Sequence, residues 1–330
     1  MKRILFLLGV VMGISACDQD RFDLAVEIPD FDFAETVVFK DSLSSYNIFQ
    51  GSPSDLLPTA DFHLLELNAV LFTDYAYKQR LIHVPDGFQV EKEADGTMDF
   101  PNGTLLTKTF FYYLDERSPE LGKRIIETRL LIKQNDSWNL ATYIWNDEQT
   151  EATLELDGLD TSVSWINKDG KNISTLYHVP TQNECMACHQ SDLTLTPIGP
   201  KLRNLNRTVE RSGNTVHQIE YLQSLNILSD FDHNQIPLIP DYKNNQVNIA
   251  DRARAYLEIN CAHCHNPQAW EAPAERDFDF RYETAFSDTG IRFETEKISD
   301  ALLDMDMPFI GTTLLDDEGV NLLLEYFDDL

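Results

Sequence analysis

The sequence predicts a multidomain α+β protein: an antiparallel β-rich N-terminal domain followed by a mostly α region that carries two prosthetic-group motifs. Three observations predict this division. Residues 107–113 concentrate β-branched and aromatic side chains, and residues 151–156 alternate polar and apolar, the period-two pattern of a half-buried strand. After about residue 180 the spacing turns helical, as where Val320, Leu323, Leu324 and Phe327 recur at i, i+3, i+4 and i+7. Two C-x-x-C-H pentapeptides, Cys185-Met186-Ala187-Cys188-His189 and Cys261-Ala262-His263-Cys264-His265, both fall in that second region.

The N-terminal segment reads as a targeting signal over residues 1–17. Lys2-Arg3 supplies the positive charge, and the apolar run from Ile4 to Val11 is too short to span a bilayer as a mature helix. Ile14-Ser15-Ala16-Cys17 resembles a bacterial lipoprotein box, which makes Cys17 the lipidated first residue; an ordinary cleaved signal with an incidental cysteine is the alternative. Each buried CH₂ of an attached acyl chain contributes about 0.8 kcal/mol of membrane binding. Residues 18–47 are acidic and aperiodic and read as a tether.

Residues 48–180 read as the β-rich domain. Turn signals at Pro101-Asn102-Gly103, Asn135-Asp136-Ser137 and Lys168-Asp169-Gly170 separate its strands, and a small sandwich or barrel is expected. It contains no C-x-x-C-H and no nucleophile–base pair. Residues 181–245 and 246–330 form two further modules, one per motif. Thr215-Val216-His217-Gln218 matches a capping box for a helix through Ile219 and Leu222. Asn248 caps another that runs to about Asn260, with Ile249, Ala253, Tyr256 and Leu257 on one face.

C-x-x-C-H is the attachment signal of c-type haem. Two thioether bonds tether the porphyrin and the adjacent His ligates iron, so both thiols must face one edge of the macrocycle. The expected cofactors are two covalent haem c groups, on Cys185 and Cys188 with His189, and on Cys261 and Cys264 with His265. Of five cysteines, four lie in the motifs and the fifth is Cys17, so none remains for a separate disulfide or zinc site. Zinc ribbons place their pairs roughly 15–20 residues apart, whereas 72 residues separate Cys188 from Cys261. A thioredoxin-like motif needs one pair and no adjoining His.

The chain carries 26 Lys and Arg against 55 Asp and Glu, a net charge of −29, which argues against a nucleic-acid partner. Such a field steers a redox partner with a basic docking face, and equally suits a generally acidic surface in a saline setting. Haem attachment and lipidation agree on an extracytoplasmic, lipid-anchored location in the periplasm or at the cell surface.

A helix entering C-x-x-C-H, a Met loop and a closing helix resemble class I cytochrome c. By that resemblance Met307, in Asp304-Met305-Asp306-Met307-Pro308, is the sixth ligand of the second haem, with Met305 its competitor. Residues 196–202 follow His189 where that class carries a turn whose carbonyl accepts the proximal His N–H, and Pro200 marks the turn. Met186, inside the first motif, is the only methionine between residues 99 and 304. The first haem therefore takes a His, with His178 favoured over His217 and His233, or keeps an open position.

Wider strings carry a further resemblance: residues 71–78, 100–104, 127–130, 145–152, 197–207 and 260–267 together resemble a family of bacterial diheme c-type cytochromes. Genes of that family tend to neighbour one for a parallel β-helix repeat protein. The resemblance implies two covalent haems and a β-rich first half, and names no substrate; the acidic segment from Asn266-Pro267 to Ile298 departs from its pattern. Electron transfer is the expected function, with a basic cytochrome, a dehydrogenase or a β-helix protein as partner. The alternatives are a diheme peroxidase-like enzyme with an open first haem, and a ligand-binding β-domain whose haems report redox state.

Overall fold

The computed structural model describes residues 28–31, 37–94, 96–192, 194–270 and 278–330. The signal, Cys17 and part of the tether lie outside the described residues. Strands β1 (His63–Leu64) and β2 (Tyr77–His83) precede a two-residue hairpin, β3 (Glu91–Lys92) and β4 (Met98–Asp99). Strands β5 (Leu105–Tyr113), β6 (Lys123–Gln134), β7 (Ser137–Trp145) and β8 (Ala152–Glu155) follow. β1, β2, β5, β6, β7 and β8 form one antiparallel sheet in that order. The β6–β7 hairpin closes on Asn135 and Asp136, both at positive φ, which are residue types that tolerate the left-handed region a two-residue hairpin needs.

The two faces of the sheet do different work. One buries Leu81, Leu105, Leu130, Ala141 and Tyr143 with Leu43 and Ile48 from the preceding segment. On the other, the hairpin β9 (Leu159–Ile166) and β10 (Asn172–Val179) brings Val163, Trp165, Tyr177 and Val179 against Phe110 and Tyr112. The rest of that second face, with Ile82, Leu106, Leu131 and Leu140, packs against residues of the C-terminal half, among them Met186, Leu195, Leu202 and Leu222. The expected sandwich or barrel is thus corrected: a single six-stranded sheet carries a two-stranded hairpin on part of one face.

Beyond residue 180 come α1 (Gln182–His189), the hairpin β11 (Gln190–Ser191) and β12 (Thr194–Leu195), and α2 (Leu202–Leu205). A second hairpin, β13 (Thr208–Arg211) and β14 (Asn214–His217), leads into α3 (Gln218–Ser224), α4 (Ile249–Asn260), α5 (Thr295–Leu303) and α6 (Asp317–Asp328). The mostly α, cytochrome c-like region is overturned. Among the described residues the chain is sheet-rich with six helices, and only α4 and α6 reach 12 residues. Composition explains the shortfall. Between α3 and α4 stand Pro237, Pro240, Asp241, Asn244 and Asn245, which break helices or draw the backbone into turns. The capping box at Thr215 is likewise overturned. Thr215 and Val216 pair with Glu210 and Val209 in the hairpin, the Thr215 hydroxyl bonds the Glu210 carboxylate, and His217 precedes α3 with no side-chain cap.

An extended segment over residues 65–72 joins the two halves. Gln218 bonds both backbone groups of Glu66, and Asn204 both of Ala69. Asn260 Oδ1 accepts Phe72 N–H at 2.7 Å. Each side-chain amide replaces a strand neighbour, so the buried backbone is satisfied without a ladder. α4 and α6 pack closely because position 319 is glycine: a Cβ there would overlap the Tyr256 ring.

Candidate functional site

α1 places the first motif. Thr181 accepts Glu184 N–H at 3.1 Å while Glu184 accepts Thr181 N–H at 2.7 Å, a reciprocal cap that starts the helix four residues before Cys185. α1 lies against β7, and His189 is its last residue. His189 Nδ1 sits 2.7 Å from the Thr196 carbonyl. With the proton on Nδ1 donated there, Nε2 keeps its lone pair, which is the state a metal-ligating His requires. The acceptor expected near Pro200 is therefore Thr196, at the start of the same turn. Burial lowers the His189 pKa to about 3; the Thr196 bond opposes this, and Lys108 and His263 add to it. The ring is neutral at physiological pH.

His189 borders two cavities. One, of about 300 Å³, also meets Cys185, Thr142 and Arg129. The other, of about 530 Å³, meets Arg80, Lys108 and Arg129 of the sheet and Pro197 and Pro200 of the turn. Cys188 borders neither of these; with His263 it lines a cleft of about 1890 Å³ and also the cavity of the second motif described below.

α4 places the second motif. Asn248 caps it through a bond from Asp251 N–H at 2.9 Å, and Cys261 follows its last residue. Cys261, Cys264, His265 and Met307 all border one cavity of about 820 Å³, walled by Trp270, Leu302 and Phe309. A second hollow of about 580 Å³, bounded by Phe278, Phe280 and Ile298, shares Cys261, His265 and Met307 with the first. The walls of both are mostly apolar, as cofactor pockets are. Among the described residues the buried Trp270 Nε1 has no hydrogen-bond partner, so it offers a donor to a polar edge of whatever fills the cavity. The donor set, the apolar walls and this orphaned N–H fit a haem.

Met307 is at this cavity and Met305 is not. Met305 is 48% exposed and stands at positive φ. The three His candidates for the first sixth ligand are all engaged elsewhere. His178 Nδ1 meets Asp160 at 2.7 Å and its Nε2 meets Glu184 at 3.2 Å. His217 and His233 stack on each other at 3.8 Å between ring centroids, and His217 Nε2 meets Asn206 at 2.9 Å. None of the three borders the cavities at His189.

One juxtaposition escaped sequence reasoning. Ligand atoms of Cys188, His263 and Cys264 all lie within 4.8 Å of one another, so the two motifs meet. Burial holds Cys185 up at about 11 and Cys261 at about 12. A hydrogen bond with Cys264, then burial, raises Cys188 well above the usual thiol range.

No protein family, curated protein or solved structure matches this chain. Among the described residues no helix is long and apolar enough to cross a membrane.

Proposed function

We propose that the chain is a lipid-anchored, extracytoplasmic diheme c-type cytochrome that passes electrons between redox partners. The observation that carries this reading is the second motif: its two thiols, its His and a Met border one apolar cavity. Haem bound there supplies one-electron exchange at iron. The chain's own residues hold and tune it. Cys185, Cys188, Cys261 and Cys264 anchor the two macrocycles, and His189 and His265 ligate. Met307 offers a thioether that favours reduced iron. The meeting of Cys188 with Cys264 makes the two groups neighbours, the arrangement a two-centre carrier needs. Cys17 supplies the membrane anchor. The acidic surface suits a partner with a basic docking face: a cytochrome, a dehydrogenase or a β-helix protein.

Mass spectrometry of mature protein tests the reading. Polypeptide plus two haems is expected, with one lost in Cys185→Ala/Cys188→Ala and the other in Cys261→Ala/Cys264→Ala. Bare polypeptide in the mature wild type overturns it.

A second reading rests on the Cys188, His263 and Cys264 cluster, which has the ligand types of a zinc site. It predicts one bound ion per chain by elemental analysis, lost in His263→Ala, in protein without porphyrin absorbance.

A further inference from the structure

The second face of the sheet carries a row of cations. β2 pairs Arg80 with Lys108 of β5, and β5 pairs Lys108 with Arg129 of β6, so three positive side chains stand abreast across three central strands. Alternation puts all three on the face that looks toward the first motif. The row on one side of them is apolar: Ile82, Leu106, Leu131 and Leu140. All three cations border the 530 Å³ cavity that His189 also borders.

Their partners do not balance. Arg129 is committed to Glu127, which it holds by two bonds at 2.6 and 2.8 Å and which also accepts the Tyr177 hydroxyl at 2.7 Å. Glu127 is fully buried and is the one carboxylate in this network. Among the described residues Arg80 and Lys108 have no side-chain hydrogen bond or ion pair; Lys108 has only the Phe110 ring, at 5.0 Å. Burial pushes Arg80 down to about 10, and burial with repulsion from Arg80 and Arg129 takes Lys108 well below the usual ammonium range. Among the described residues two buried basic groups thus lack a directly bonded counter-charge, which makes their charged forms costly. Acidic residues outnumber basic ones by two to one in this chain, yet among the described residues only Glu127, already held by Arg129, acts on Lys108, and no carboxylate bonds Arg80 or Lys108.

We infer that Arg80 and Lys108, flanked by Arg129, form a carboxylate-binding row that takes the propionates of the porphyrin tethered at Cys185 and Cys188. This rests on the haem reading above. The cavity is shared with the ligating His189, the spare charges number two, and a guanidinium beside an ammonium is suited to a pair of carboxylates. The β-rich half thereby becomes a wall of the first haem site.

The test uses full-length mature protein loaded with haem carrying ¹³C in its propionate carboxyls. Redox-difference infrared spectra are compared for wild type, Arg80→Leu/Lys108→Met, and the charge-preserving Arg80→Lys/Lys108→Arg. The isotope-marked carboxylate bands are expected to shift in the first variant and to stay near their wild-type positions in the second. Where mass shows that the double substitution has lost the first haem, the single variants Arg80→Gln and Lys108→Gln carry the same comparison. Marked bands identical in wild type and charge-removed protein overturn the inference while two haems in the mass leave the cytochrome reading standing; a wild type without haem overturns both. Two other results overturn it. A change of spin state in Lys108→Met makes Lys108 an iron ligand. Saturable thermal stabilisation of the wild-type holoprotein by succinate, absent from the double variant, makes the row a site for a free anion.

Discussion

The carboxylate of Asp74 holds Thr313 across 239 positions of sequence. It accepts the Thr313 N–H at 2.8 and 3.0 Å, the Thr313 hydroxyl at 2.8 Å and the Leu314 N–H at 2.9 Å. Asp74 is 1% exposed and sits at positive φ, so the side chain is delivered by a constrained turn. The bonds pin the loop between Met307 and α6 to the β-rich half.

Asp74→Ala orphans those donors. Hydrogen bonds to charged groups contribute about 1.5–3 kcal/mol each and are not additive. The urea midpoint is expected to fall by an amount equivalent to at least about 2 kcal/mol. A midpoint within error of wild type shows that the loop is held by other contacts.

Met307 and Met305 stand two positions apart but have opposite environments. On the cytochrome reading, Met307→Ala is expected to convert the second haem of the oxidised protein from low spin to a weak-field state in the EPR spectrum, because the cavity loses its thioether. Met305→Ala is expected to leave the spectrum unchanged. The reverse pattern assigns ligation to Met305.

Gly319→Ala probes the crossing of α4 and α6. The added methyl meets the Tyr256 ring, and overpacking of this kind costs about 1–3 kcal/mol. A lower thermal midpoint is expected, partly restored by Tyr256→Leu in the same chain. Two independent, additive losses would place the strain elsewhere.

His178 makes stability depend on pH. Burial opposes its charge, but the bonds its ring N–H groups donate to the Asp160 and Glu184 carboxylates outweigh this and raise its pKa. The contribution is therefore complete below the unfolded value of about 6.5 and fades as pH rises through the folded value above it. At 32% exposure solvent screens the pair, so the effect is small. The stability difference between wild type and His178→Gln is expected to be larger at about pH 5.5 than at about pH 9. A difference that grows with pH contradicts the assignment.

Features that depend on local spacing were legible in the sequence. The strand over residues 107–113, the turn at Asn135-Asp136, the Asn248 cap and the last helix all appear where periodicity and turn chemistry put them. Features that depend on pairing between distant strands were not. Arg80, Lys108 and Arg129 show no pattern along the chain; only the register of β2, β5 and β6 lines them up. The helical content after residue 180 was overread because a capping signature at Thr215 competes with β-branched pairing, and pairing wins once Val209 is opposite Val216. The partner of Asp74 lies too far along the chain for any local rule to reach.

On the cytochrome reading, the contact between Cys188 and Cys264 imposes an order on maturation. A compartment that permits c-type haem attachment also oxidises thiols, and these two sulfurs belong to different motifs yet stand within 4.8 Å. Joined to each other, they would disable both anchors at once. On that reading porphyrin capture must outrun the cross-link between them.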